Sequence, residues 1–355
     1  MRMFLASAIL ALTWLFMPVE SAFAQARGAV EDIRIAAPSL AGNRVGTETE
    51  QNVAVYLPPS YARARGRRYP VIYLLHGIFD SRRTWLNYIG VPAIADRLIA
   101  AERMPEAIIV MPDAGNVYGG GFYRNSSVSG NWQDYVAEDL MTEIDRRYRT
   151  IARPGGRAIA GWSMGGYGAV HMVMERPGLY AAAYAISPCC MAPVDDLGFG
   201  NQSWQTAFGM RSVDDIPAAL ERGDFYAVAA MGVMTSFSPA PGAGPFHVDF
   251  PFEVDDAQIV LDAPAYETYV AKFPLYRLEQ SREALRGLRA FGLDYGVNDQ
   301  FAHIPSATSA FSQRLSELRI PHLLDVYDGD HRLRVAERME SFVLPYLGRA
   351  LDPPE

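Results

Sequence analysis

The run Gly161-Trp162-Ser163-Met164-Gly165 sets a serine midway between two glycines. This spacing suits a hydroxyl nucleophile on a sharp strand-to-helix turn, where the glycines let the backbone double back and the helix N-terminus faces developing negative charge. A hydroxyl at its ordinary pKa is a poor nucleophile, so a histidine must take its proton and a carboxylate must hold that histidine in the right tautomer. Six histidines limit the search. His331, in Tyr327-Asp-Gly-Asp-His331, falls where the last predicted strand ends and is the candidate base. His303 and His322 are fallbacks, one near a helix start and one at a strand start; His247 lies in a long irregular stretch. His171 is more than two helical turns beyond Ser163 and reads as structural. Two carboxylates compete for the acid. Asp294 ends an apolar strand, whereas Asp299 follows a Gly and Asn turn from which a side chain can reach sideways, and Asp299 is preferred. Asp328 and Asp330 are better placed to shape the histidine's own loop. The oxyanion needs two backbone donors. Met164, after the nucleophile, supplies one; Leu74-Leu-His-Gly-Ile78, after an early strand, supplies the other, assigned to Ile78 with Gly77 as the alternative.

Bringing these groups together requires a sheet with crossover helices. Apolar β-rich runs at 53–57, 71–75, 107–111, 157–162, 181–186, 288–293 and 322–327 alternate with amphipathic patterns at 91–103, 132–148, 164–176, 307–318 and 334–344. That order predicts an α/β fold with a doubly wound, mostly parallel sheet. Ser163 then lies between a strand and a helix, which weighs against an incidental serine in a Gly-rich turn. About a hundred residues separate the strands at 181–186 and 288–293, far beyond ordinary connections. This stretch holds helical patterns at 213–222 and 265–273, a Pro- and Gly-rich piece, and Phe246, Phe250, Phe252, Met231 and Met234. It is expected to be a cap inserted at about 192–286 into one domain spanning 28–351.

The chain has 355 residues, half of them apolar, and a formal charge of −8. An acidic balance argues against a nucleic-acid partner, which needs clustered Lys and Arg. Arg2, an apolar run from Met3 to Met17 and Ser21-Ala-Phe-Ala24 form the three-part pattern of an export signal, with cleavage expected after Ala24, or alternatively Ala26. The apolar run is shorter than the roughly 20 residues that span a bilayer. The mature chain is therefore expected in the periplasm or outside the cell, with no membrane span. The two cysteines are the neighbours Cys189 and Cys190, which excludes a disulfide framework and suits buried packing.

With these residues in view, the chain resembles the esterase D family of α/β-hydrolases, which includes S-formylglutathione hydrolases, feruloyl esterase domains and the antigen 85 mycolyltransferases. The resemblance rests on Tyr73-Leu-Leu-His-Gly77, Met111-Pro-Asp-Ala-Gly115, Gly130-Asn-Trp-Gln-Asp-Tyr135, the stretch from Ala158 to Ala169, and the acid and histidine loops. It implies an α/β-hydrolase fold, a triad of Ser163, Asp299 and His331, and an oxyanion hole of Ile78 and Met164. It makes Asp113 and Trp132 structural or pocket-lining. The chain departs from the family in its export signal, unlike the typically cytosolic formylglutathione hydrolases, and in Gly329-Asp-His-Arg-Leu333, where the family has a Gly-Gly-His-Asp-Trp type of loop. The cap has no counterpart that can be aligned.

The expected activity is hydrolysis of a carboxylic ester, small or carbohydrate-linked, through an acyl-enzyme. Transfer to an alcohol acceptor and a catalytically silent binding role on the same fold are the competing readings. No cofactor is expected, and no two histidines have metal-ligand spacing on one helix. Phe79, Trp85, Tyr118, Phe122 and Trp162 are the candidate pocket walls, and Gly119-Gly-Gly121 is either a mobile loop at the mouth or a turn.

Overall fold

Strands whose residues are apolar on both faces can be buried only between two layers of helix. The computed structural model describes residues 27–355, and the expected export signal at 1–24 lies outside the described residues. Eight strands form the central sheet: β1 (Ala29–Ala36), β2 (Glu50–Leu57), β3 (Val71–Leu75), β4 (Ile108–Pro112), β5 (Arg157–Trp162), β6 (Ala182–Ile186), β7 (Ala290–Gly296) and β8 (Leu323–Tyr327). Their order is β1-β2-β4-β3-β5-β6-β7-β8. β2 is antiparallel to both its neighbours, and every pairing from β4 through β8 is parallel. This is the α/β-hydrolase fold, with helices on both faces of the sheet.

Alternation along the buried strands divides the core. Val71, Tyr73 and Leu75 join one apolar cluster with the helix Met164–Glu175, while Ile72 and Leu74 join the other with the helices Val91–Ala100 and Leu344–Ala350. The parallel register aligns Leu75 with Gly161, Trp162 with Ile186, and Ile186 with Asp294. The loops carrying Ile78, Ser163, Asp299 and His331 therefore leave the same carboxyl-terminal edge, where open α/β sheets place their ligand crevice.

The edge strand β1 has no counterpart among the predicted strands; most of its residues are exposed, and Glu31, Asp32 and Arg34 break up its apolar pattern. Between β6 and β7 the chain forms the helices Ser203–Gly209, Asp215–Glu221 and Phe225–Phe237, a hairpin of Phe252–Asp255 with Gln258–Leu261, and the helix Ala263–Val270. Phe225–Phe237 was not among the predicted helical patterns. It is buried nearly all round, so no polar stripe marks its period. Among the described residues, no helix is long and apolar enough to cross a membrane.

Candidate active site

Ser163 sits between β5 and the helix Met164–Glu175 with φ 57° and ψ −116°, a conformation that L-residues adopt only when their surroundings hold it. Its N–H donates to Ile186 O at 2.9 Å, and its carbonyl accepts from the N–H groups of Tyr167 (3.0 Å) and Cys189 (3.2 Å). The flanking glycines are sterically required. A Cβ on Gly161 would stand 2.1 Å from Gly165 O, and one on Gly165 would stand 1.9 Å from Leu75 O.

His331 presents Nδ1 to Asp299 Oδ2 at 2.8 Å, in a pair whose side chains are almost entirely buried. The other oxygen of Asp299 accepts from Phe301 N–H at 3.0 Å, which fixes the carboxylate's plane. Three contacts hold the His331 loop: Trp162 Nε1 donates to His331 O at 3.0 Å, Gln300 Oε1 accepts from His331 N–H at 3.3 Å, and Phe301 packs edge-on to the imidazole with centroids 4.7 Å apart. Ser163 and His331 border one cavity of about 190 Å³. No hydrogen bond joins the Ser163 hydroxyl to the ring among the described residues; such contacts commonly tighten only once substrate is bound.

Asp294, the competing acid, is tied elsewhere. It is fully buried, accepts from Ser187 N–H and Tyr184 OH, and forms an ion pair with Arg338 at 2.9 Å. Burial pushes its carboxyl up to about 6, against the pull of Arg338, so it is still ionised at neutral pH. The fallback histidines are also engaged: His322 bonds Ser312 Oγ and Ile320 O, and His303 bonds Asp196.

At the expected oxyanion hole, neither Ile78 N–H nor Met164 N–H has a protein acceptor among the described residues, whereas the adjacent Phe79 N–H donates to Gly119 O at 2.9 Å. Met164 opens a helix, where free N–H groups are the rule. His76 lies behind this loop. Its Nδ1–H donates to Gly77 O and its Nε2 accepts from Ala114 N–H, both at 2.8 Å, and burial lowers its pKa, keeping it neutral. Gly119-Gly-Gly121 proves to be a packed turn. Side chains on these glycines would collide with Ile78 and Phe79, with Met164, and with Trp132, respectively. The packing of this turn against Ile78, Phe79 and Met164 was not read from the sequence, where a triple glycine suits a mobile loop and a turn alike.

Of the expected walls, Phe79, Phe122 and Trp162 border the cavity. Trp85 and Tyr118 do not, and that expectation is corrected. Trp85 is buried in the apolar cluster shared by Ile72, Leu74 and the helix Val91–Ala100. Tyr118 is buried edge-on against Phe246 and beside the helix Phe225–Phe237. Asp113 forms an ion pair with Arg82, and the buried Trp132 donates to Ser129 O; neither reaches the cavity. Trp204, Phe225 and Val233 of the inserted segment complete the apolar walls, and the free thiols Cys189 and Cys190 also border the cavity. Burial raises the Cys190 thiol well above its ordinary value.

A family profile aligns with residues 45–333, most of the chain. The chain belongs to the "Putative esterase" family. It is 39% identical over 136 residues to Esterase Rv1288 of Mycobacterium tuberculosis, covering 37% of this chain and 27% of that one. It is 31% identical over 141 residues to an endo-1,4-beta-xylanase/feruloyl esterase of Xylanibacter ruminicola, covering 37% and 18%. The chain thus aligns with only about a quarter or less of the length of these curated relatives. Among solved structures, a ferulic acid esterase superposes with a TM-score of 0.61 at 22% identity, covering 92% of this chain and 99% of that one. An S-formylglutathione hydrolase from Agrobacterium tumefaciens superposes at 0.60 with 19% identity, covering 92% and 97%. At such identities these superpositions establish the shared fold alone.

Proposed function

We propose that this member of the esterase family is a serine carboxylic-ester hydrolase with Ser163 as nucleophile, His331 as general base and Asp299 as its orienting acid. One observation carries the reading: a strained serine borders the same cavity as a histidine whose far nitrogen is held at 2.8 Å by a buried carboxylate. Asp299 accepts from Nδ1–H, so Nε2 is left to take the Ser163 proton as the hydroxyl attacks the ester carbonyl. The amides of Ile78 and Met164 receive the oxyanion; no donor there needs to break an existing bond first. Collapse of the tetrahedral intermediate expels the alcohol with the proton from His331. Water, activated by the same histidine, then releases the acid.

The segment 192–286 acts in this reading as a cap that supplies the apolar wall facing the nucleophile, and the N-terminal pattern directs the chain to export. The test is a fluorophosphonate probe on the mature protein. Labelling is expected, together with turnover of p-nitrophenyl or feruloyl esters, and both are lost in Ser163→Ala. Labelling that persists in Ser163→Ala would defeat the assignment.

A further inference from the structure

Asp196 and Tyr226, from the segment between β6 and β7, meet His303, the first residue of the helix His303–Glu317. Asp196 Oδ1 accepts from His303 N–H at 2.7 Å and from His303 Nδ1 at 2.8 Å, and Tyr226 OH donates to Asp196 Oδ2. Asn201 Nδ2 donates to Asp196 O at 2.8 Å, anchoring the turn. Burial pushes the Asp196 carboxyl up, but the hydrogen bonds from His303 and Tyr226 outweigh it and bring the group down to about 2. A carboxylate bonded in this way puts the proton of the His303 ring on Nδ1. The remaining ring nitrogen, Nε2, is buried and has no partner among the described residues, on a histidine only 5% exposed. A buried, unpaired ring nitrogen is unfavourable and calls for a partner. The cavity that His303 borders also contains Ser163 and His331.

We propose that His303, held by Asp196 and Tyr226, is a specificity-determining contact that hydrogen-bonds a hydroxyl group carried by the ester, on its acyl or its alcohol side. The proposal rests on the esterase reading above. Apolar walls with a few orienting polar groups are the usual composition of a small-molecule site, and Trp204, Leu197, Phe225, Val233 and Phe301 supply such walls in the cavity that His303 borders, with Asn201 and Ser203 also in its lining. A hydroxyl fits because it can donate to Nε2 of a neutral ring or accept from Nε2–H of a charged one. A carboxylate would face the charge of Asp196, and an ammonium would find both Asp196 oxygens already engaged by His303 and Tyr226. Phe301 packs against both imidazoles, with centroids 4.7 Å from His331 and 6.3 Å from His303. The cluster also clasps the inserted segment to the core, so the test must read selectivity rather than activity alone.

The experiment compares kcat/KM for methyl 3-phenylpropanoates and phenethyl acetates, each with no ring hydroxyl, a 3-hydroxyl or a 4-hydroxyl. Wild type is expected to favour at least one hydroxylated member by about fivefold or more, the worth of one hydrogen bond to an otherwise unpaired site. In His303→Phe that ratio falls to about one, whatever the change in turnover of the unsubstituted ester, because the ratio reads the hydrogen bond and not the clasp. His303→Gln retains part of the preference. A wild-type ratio of one at every ring position, or a preference unchanged in His303→Phe, overturns the proposal. Fluorophosphonate labelling reports whether each variant keeps a folded site; if His303→Phe does not label, Asp196→Asn, which loosens the ring, must show the reduced ratio instead. Absent turnover and absent labelling of wild type would defeat the esterase reading. The subsite is then judged by calorimetry with the hydroxylated and unsubstituted acids and alcohols. Equal affinities for every pair sink it, and a hydroxyl preference lost in His303→Phe sustains it.

Discussion

Replacing Asp299 and Asp294 by Asn, one at a time, separates the two carboxylates by what each is bonded to. In Asp299→Asn, His331 loses an ionised partner 2.8 Å away in a site where the Asp299 side chain is fully buried. In the proposed mechanism, proton transfer from Ser163 makes His331 cationic, so the carboxylate would act mainly in the transition state. At an effective dielectric of about 20 and that separation, Coulomb's law gives about 6 kcal/mol. At about 1.4 kcal/mol per factor of ten, kcat should fall by about four orders of magnitude. Stability should change little, because an Asn oxygen can still accept from Phe301 N–H. In Asp294→Asn the balance reverses. Among the described residues Arg338 keeps only the partly exposed Asp325 as a charged partner, so the fold should lose about 3–5 kcal/mol, the usual cost of breaking a buried pair. Activity per folded molecule should stay within about tenfold, since this variant leaves the orienting carboxylate in place. The assay pairs kcat with p-nitrophenyl acetate and the urea midpoint of unfolding. Asp299→Asn retaining more than a tenth of wild-type kcat would refute the reasoning, as would Asp294→Asn losing activity as severely while still folded.

Stability should decline as the pH falls from 7 to 5. Burial lowers the pKa of His76, and that of His171 well below normal, so both stay neutral in the fold but take up protons in the unfolded chain below about 6.5. The stability they contribute is complete above that pH and is lost on acidification, by up to about 1.4 kcal/mol per pH unit for each histidine. Urea midpoints measured across this range should show a shallower slope in His171→Gln, and an unchanged slope would remove His171 from the account. Gly165→Ala should cost at least about 2–3 kcal/mol and abolish fluorophosphonate labelling, because the added Cβ meets the fixed Leu75 carbonyl rather than a movable side chain. Cys189 and Cys190 should resist iodoacetamide at pH 8 in the folded protein and react after denaturation, as read by intact mass; rapid native alkylation would contradict their burial.

Features carried by neighbouring residues were legible before the fold was known. The turn at Ser163 is local, since its two glycines and the apolar runs on either side lie within one strand and one helix. The parallel strands were legible for the same reason: each is a short apolar run set between helical patterns. β1 was not, because an exposed edge strand needs apolar side chains at few of its positions. The helix Phe225–Phe237 was missed for the opposite reason, being buried on almost every side.

Sequence alone determined the identity of the expected nucleophile, the edge of the sheet on which its partners must lie, and a short set of histidines and carboxylates to choose among. Only the tertiary structure shows that Arg338, 44 residues away, occupies Asp294, while Asp299 turns to His331. It likewise separates Trp85, packed in the core, from Phe79 and Phe122 at the cavity, and joins Asp196 to His303 across 107 residues. The physical reason is common to all three. A turn's backbone conformation follows from steric limits within a few residues, whereas a side chain's partner is set by how distant elements pack, and aromatic or carboxylate side chains suit several such partners equally well.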